Sequence, residues 1–283
     1  MTLLLVTLLG GVASACLWTA CRTTFEAPVL QRRNYRGVDV PVAAGVVIVL
    51  ALLTIEALLA VLAALGHDVE PAGAGARWLT LALATGFGLL GAFDDVAAYG
   101  DDRGFRGHLG NLAKGRLTTG GIKLVGGGLL ALGVVGATGV DNLLDLLVGA
   151  ALVALSANVG NLFDRAPGRC TKVTVLAAVP LVLAAGSSGR PLLVGVVAVV
   201  GAGCGLLAFD LREELMLGDA GANVLGAAVG FGVVLTSGLV VQSVVLVVVV
   251  ALNVASERVS FSRIIDSVPV LRALDRLGRR PLT

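Results

Sequence analysis

The sequence predicts an all-α protein, a polytopic transmembrane helical bundle of about nine spans. Three observations carry that reading. Of 283 residues, 57% are hydrophobic and only 14% charged, where a soluble domain carries about 25%. Mean hydropathy is +0.94. Apolar runs of roughly 16 to 25 residues recur from end to end, long enough to cross a hydrocarbon core. A segment in lipid must satisfy its own backbone polar groups, so runs of this kind mean helices.

The first run, Met1 to Ala20, lacks the basic start of a signal peptide and reads as a span. In order, the spans are expected at about 1–21, 41–65, 78–93, 121–138, 142–157, 171–186, 191–209, 222–237 and 239–255. The segments between them alternate sharply in charge. The set 22–40, 94–120, 158–170, 210–221 and 256–283, with Lys123 and Lys172 at span edges, holds 19 of the 21 Lys and Arg. The other set holds only Arg77 and Arg190. The positive-inside rule then places the amino terminus outside and the carboxyl terminus in the cytoplasm. One membrane domain, 1–283, is expected in the cell membrane, with 257–283 as a basic cytoplasmic tail suited to anionic headgroups.

The outer segments are short and leave no room for an external domain. Cys16, Cys21, Cys170 and Cys204 lie in spans or at their cytoplasmic ends, so no disulfide framework is indicated. Gly126-Gly127-Gly128 and Gly201-Ala202-Gly203 read as packing positions where helices approach closely. Glu56 falls well inside the second span, which is expensive unless the carboxylate is paired or faces a wet cavity. Asp145 reads as interfacial.

Three acidic features stand at cytoplasmic span ends. They are Gly91-Ala92-Phe93-Asp94-Asp95, the run from Asn161 to Arg169 containing Asp164 and Arg165, and Met216-Leu217-Gly218-Asp219-Ala220-Gly221-Ala222-Asn223. Together they set oxygen ligands among Arg and Lys at one membrane face. Hard cations such as Mg²⁺ take one or two carboxylates plus substrate phosphates, and basic neighbours suit an anionic substrate bridged by the metal. Asp219 and Gly221 open a helix, where free N–H groups receive phosphate oxygens. The chemistry this favours is metal-assisted phosphoryl transfer; the bland alternative is helix-end charge that only fixes topology.

These residues, in this order and spacing, resemble the polyprenyl-phosphate N-acetylhexosamine-1-phosphate transferase family, which includes the phospho-MurNAc-pentapeptide translocase. Val40 to Gly45 is similar to that family's Thr-Pro-x-x-Gly-Gly stretch, and Lys123 to a family lysine. The resemblance covers nearly the whole chain. It implies transfer of a sugar 1-phosphate from a UDP-sugar to a polyprenyl phosphate, with release of UMP and with Mg²⁺ (or Mn²⁺) as cofactor. By position, it makes Asp219 the principal metal ligand, with Asp94 and Asp95 engaging the lipid phosphate or, for Asp95, the metal. It sets Asn161 and Asp164 at the nucleotide diphosphate and Lys123 against phosphate charge. Beside the resemblance, Gly221 is expected to bind substrate through the helix-start N–H groups, and Arg165, Arg169, Arg258 and Arg263 are suited to replace phosphate contacts by bidentate pairing. The implied partners are polyprenyl phosphate and a nucleotide-sugar within a membrane, with no nucleic acid; a homodimer is compatible with them.

The sequence departs from the family pattern in three places. Pro167 stands where a second loop acid is expected, Met216 where an aromatic residue often lies, and Ser256 to Arg263 where a His cluster is usual. The only histidines are His67, in an outer segment, and His108, in 94–120. These changes fall on donor recognition and leave the Asp94/Asp95/Asp219 set whole. Two other readings stay open: a catalytically degenerate member acting as a lipid-binding or scaffold protein, and a small-molecule transporter. Transporters place charged sites near the midplane, whereas these acids cluster at one face.

Overall fold

The computed structural model describes residues 3–67, 73–97 and 119–281. His108 and the remainder of 98–118 lie outside them. The described chain is a helical bundle built from α1 (Leu3–Cys21), α2 (Val46–Ala64), α3 (Ala74–Ala97), α4 (Thr119–Gly136), α5 (Leu143–Phe163), α6 (Arg169–Ala184), α7 (Val194–Leu211), α8 (Gly218–Thr236) and α9 (Leu239–Ser256). Two short helices follow, α10 (Phe261–Ser267) and α11 (Pro269–Arg276). Eight helical segments are long and apolar enough to cross a membrane. The expected span at 171–186 corresponds to α6, whose 16 residues include Pro180; it is not among the eight. At about 1.5 Å per residue it falls short of a full hydrocarbon core.

The helices differ from the expected spans where polar residues extend them. α3 runs further at both ends, so Arg77, Asp94 and Asp95 are helical and not in flanking loops. α5 continues to Phe163, so Asn161 sits on a helix where the sequence suggested a loop. At 41–45 the helix starts late. That stretch instead makes backbone hydrogen bonds to 216–217: Met216 N–H donates to Pro41 O (2.7 Å) and Gly45 N–H to Leu217 O (3.0 Å). Before it lies a hairpin that the all-helical expectation missed, β1 (Gln31–Arg33) antiparallel to β2 (Asp39–Pro41). Its turn is held by Asn34 Oδ1, which accepts from the N–H groups of Arg36 and Val38.

α8 is the centre of the bundle, with 78% of its membrane-length window buried. It packs on α5, α3, α6 and α7. Small residues set these approaches, as expected where lipid gives helices little hydrophobic drive to associate. Along α1 and α7, Gly10 and Gly11 face Ala198 and Gly201, and Ser14 Oγ donates to Ala202 O at 2.7 Å. At the α2–α8 crossing, Gly45 and Gly221 meet so closely that a methyl on Gly45 would fall inside the Gly221 backbone. Gly45→Ala is therefore expected to force the helices apart and to leave little folded protein in detergent extracts, as measured by size-exclusion recovery. Wild-type recovery of the variant would contradict this packing.

Glu56 has a partner the sequence did not suggest. Arg77, expected in an outer loop, lies on α3, and its Nε sits 2.5 Å from Glu56 Oε1 with both side chains about nine-tenths buried. The charge inside the second span is thus internally paired. No midplane site for a transported ion is needed to account for it.

Candidate functional site

Four helix ends meet at the end of the bundle where α8 begins. Gly218 takes a left-handed φ of 67°, which lets the chain turn into α8 beside the end of α3. Asp95 receives that turn: its Oδ1 accepts from Asp219 N–H (3.0 Å) and its Oδ2 from Ala220 N–H (3.1 Å). A carboxylate there satisfies amides that have no intrahelical partner and complements the helix dipole. Asp95 is thus a cap. Each oxygen accepts one backbone N–H, a capping role that the sequence reading, which expected a metal ligand here, did not include.

Asp94, one residue earlier on α3, points to a different partner. Lys123, near the start of α4, places its ammonium between Asp94 Oδ2 (3.4 Å) and Asp219 Oδ2, with which it also forms an ion pair. All three side chains are more than four-fifths buried. Residues 94, 123 and 219 therefore form one charge cluster with two carboxylates converging on a single cation.

The cluster opens on a cavity of about 550 Å³, lined by Asp94, Lys123, Asn158, Asn161, Arg165 and Asn223 among others. Asn161 and Arg165 thus share a cavity surface with Asp94 and Lys123. Two amides that line the cavity had no role assigned from the sequence. Asn158 Nδ2 donates to Asn253 Oδ1 (2.6 Å), joining α5 to α9 across the cavity. Asn223, one turn into α8 from Asp219, is 2% exposed, and its Nδ2 finds no hydrogen-bond partner among the described residues. An orphan buried donor is costly, and one lining a cavity suits an oxygen acceptor on a ligand. Its only sequence signal is a polar residue in an otherwise small and apolar helix.

Asp164 caps the end of α5 and is half-buried. Burial, then repulsion from Asp210, Asp219 and Asp95, pushes its carboxyl well above the usual range, with the Gly218 amide partly offsetting this. Asp210, which the sequence reading passed over, is buried on α7 and accepts from Gly168 N–H at 2.9 Å. It holds the segment joining α5 to α6.

Two expected substrate contacts are spent elsewhere. Gly221, expected to bind substrate, faces the backbone at Gly45, where it serves the helix crossing. Arg169 is 5% exposed and forms a bidentate pair with Asp275, Nε to Oδ1 at 2.8 Å and Nη2 to Oδ2 at 3.0 Å. Its Nη1 donates to Ser262 Oγ (2.7 Å). The guanidinium has no face left for a nucleotide, so its place in donor binding is corrected to that of a clasp on 261–281. Arg279 adds Nη2 to Asp275 Oδ1 (2.5 Å) and Nε to Pro167 O (2.9 Å). Lys172 Nζ donates to the carbonyls of Asp275 and Leu277.

Burial alone would raise the Asp275 carboxyl, but its hydrogen bonds and charge pairing with Arg169 and Arg279 prevail and hold it below its ordinary value. A depressed carboxylate adds stability above its unfolded pKa, and that stability is lost as pH falls through the folded value. The clasp should therefore stay closed through neutral and mildly acidic conditions and open only below about pH 4. Hydrogen exchange of 261–281 across a pH series checks this; release already near about pH 6 would contradict it.

Comparison of the sequence with family models and with curated proteins gave no match.

Proposed function

We propose that this protein transfers a sugar 1-phosphate from a UDP-sugar, or a related nucleotide-sugar, to a polyprenyl phosphate at the cytoplasmic membrane face, releasing UMP. The observation that carries the reading is the Asp94–Lys123–Asp219 cluster opening on a cavity shared with Asn161 and Arg165. Asp94, Lys123, Asn161 and Asp219 are positions the resemblance assigns to phosphate chemistry, and they come from four separate stretches of chain.

A phosphate monoester has its second pKa near about 6, so the acceptor phosphate is already mostly dianionic at neutral pH. What the protein must supply is position and charge balance. Lys123 is placed to exchange its carboxylate partners for phosphate oxygens. Arg165, on the rim, adds a bidentate phosphate donor, and Asn223 and Asn161 offer neutral amides to the same ligand. The donor set also fits the implied Mg²⁺. Among the described residues no three His, Cys, Asp or Glu are grouped to enclose an ion, but Mg²⁺ takes one or two carboxylates and completes its shell with water and phosphate. Asp219 and Asp94 would hold it, where it would neutralise phosphate charge.

The topology proposed with this function has nine crossings, counting α6, whose short length a locally thinned bilayer would accommodate, with the amino terminus outside. The charge asymmetry between alternate segments supports it. Single cysteines introduced into a background lacking the native four should be shielded from external reagents in 22–40, 94–120 and 256–283, while position 70 is reached. External labelling at 110 or 275 in intact cells would overturn the orientation.

One observation favours a second reading, a lipid-binding or scaffold protein without catalysis. Lys123 pairs with both Asp94 and Asp219, and Asp95 accepts the first amides of α8, so each of these charged groups has a partner within the protein without any ligand. Titration of purified protein with polyprenyl phosphate and, separately, with a broad panel of nucleotide-sugars distinguishes the two. Binding of both ligands is expected; binding of the lipid alone favours the scaffold.

A further inference from the structure

The carboxyl-terminal segment is folded, clasped and amphipathic. After α9 ends at Ser256, Ser260 caps α10 by accepting from Arg263 N–H. Pro269 then opens α11, whose residues divide cleanly. Val270, Ala273 and Leu274, with Leu277 just beyond, share one face at helical spacing. Arg272 and Arg276 lie opposite, and Asp275 turns inward to Arg169. Nothing in the described protein covers the apolar face: Val270 and Leu277 are each 68% exposed and Leu274 50%.

We propose that α10 and α11 form an interfacial latch that docks on anionic phospholipid headgroups, with the apolar face of α11 sunk into the headgroup boundary of the leaflet. Two features commit the surface to lipid. The segment continues directly from α9, which is long and apolar enough to cross a membrane, so it starts at a bilayer face. Its charge is also complementary to an anionic leaflet: Arg258, Arg263, Arg272, Arg276 and Arg280 are exposed, against Glu257 and Asp266. An apolar stripe beside basic residues on a short helix is the pattern of an in-plane membrane helix. The latch is tied to the body through Asp275 and the backbone carbonyls held by Lys172, so lipid attachment is carried to Arg169 and the segment that follows Asn161 and Asp164. The proposal does not depend on the transfer reaction.

The test uses the full chain in nanodiscs of phosphatidylcholine alone and of phosphatidylcholine with phosphatidylglycerol. Hydrogen exchange over 261–277 should slow by about fivefold or more in the anionic discs. That slowing should vanish in the Arg272→Gln/Arg276→Gln variant, whose side chains lie outside the Asp275 clasp. A tryptophan introduced by Leu274→Trp should be quenched by brominated lipid beyond the wild-type signal from Trp18 and Trp78. Equal exchange in both lipid compositions, or an unquenched tryptophan, overturns the proposal. Protection that follows the number of protein copies per disc, in place of lipid charge, overturns it in favour of a self-association surface.

Discussion

Asp219→Asn is expected to lower the proposed sugar-phosphate transfer by at least about a hundredfold, the scale seen when one preorganised electrostatic contact is removed from a reacting centre. The amide keeps the size of the side chain and loses the charge that answers Lys123 and would hold a metal. Folding should survive, for a reason visible in the geometry. Asp95 caps the backbone amides of Asp219 and Ala220, not the Asp219 side chain, so α8 keeps its start in the variant. Transfer kinetics beside a thermal unfolding curve separate the two effects. An active Asp219→Asn protein dismisses the assignment of Asp219 to the reacting centre.

The second large effect is on stability. Arg77→Leu should destabilise the bundle by about 3–5 kcal/mol, because it leaves Glu56 buried with no counter-charge. Glu56→Leu/Arg77→Leu together should recover most of that loss, since a buried pair replaced by apolar side chains is often neutral or better. The pair lies among Val6, Leu52, Thr80 and Val194, beside a void of about 10 Å³, and Glu56 Oε2 has no hydrogen-bond partner among the described residues. Equilibrium unfolding of the three proteins gives the coupling directly. A double variant as unstable as Arg77→Leu would mean that the pair contributes more than mutual neutralisation.

The helices were readable because lipid demands long apolar runs, and the eight segments long enough to cross lie where those runs are. Their ends were not readable. A hydropathy pattern breaks at Arg77, Asp94 and Asn158, yet each stays helical because a partner on another helix or the cavity receives it. The cluster was readable in part, since Asp94, Lys123, Asn161 and Asp219 each stand at a span edge on one face. What the sequence could not tell was how neighbouring acids divide the work. Asp94 and Asp95 are adjacent, but a helix turns about 100° per residue, so one faces Lys123 and the other the start of α8. Arg169 misled for the same reason: its partner Asp275 is 106 residues away, inside what composition reads as a basic tail. The 31–41 hairpin is too short to leave a periodic signal.

The account rests on the Asp94–Lys123–Asp219 cluster acting on phosphate, and one assay bears on it most directly. Membranes containing the protein, and matched membranes without it, are given polyprenyl phosphate, Mg²⁺ and each of a panel of UDP-sugars labelled in the sugar, and the lipid fraction is counted. The account predicts label in lipid with at least one donor, UMP released in equal amount, and neither in membranes carrying Asp219→Asn. Lipid labelling no greater with the protein than without it, across the whole panel, would contradict the account.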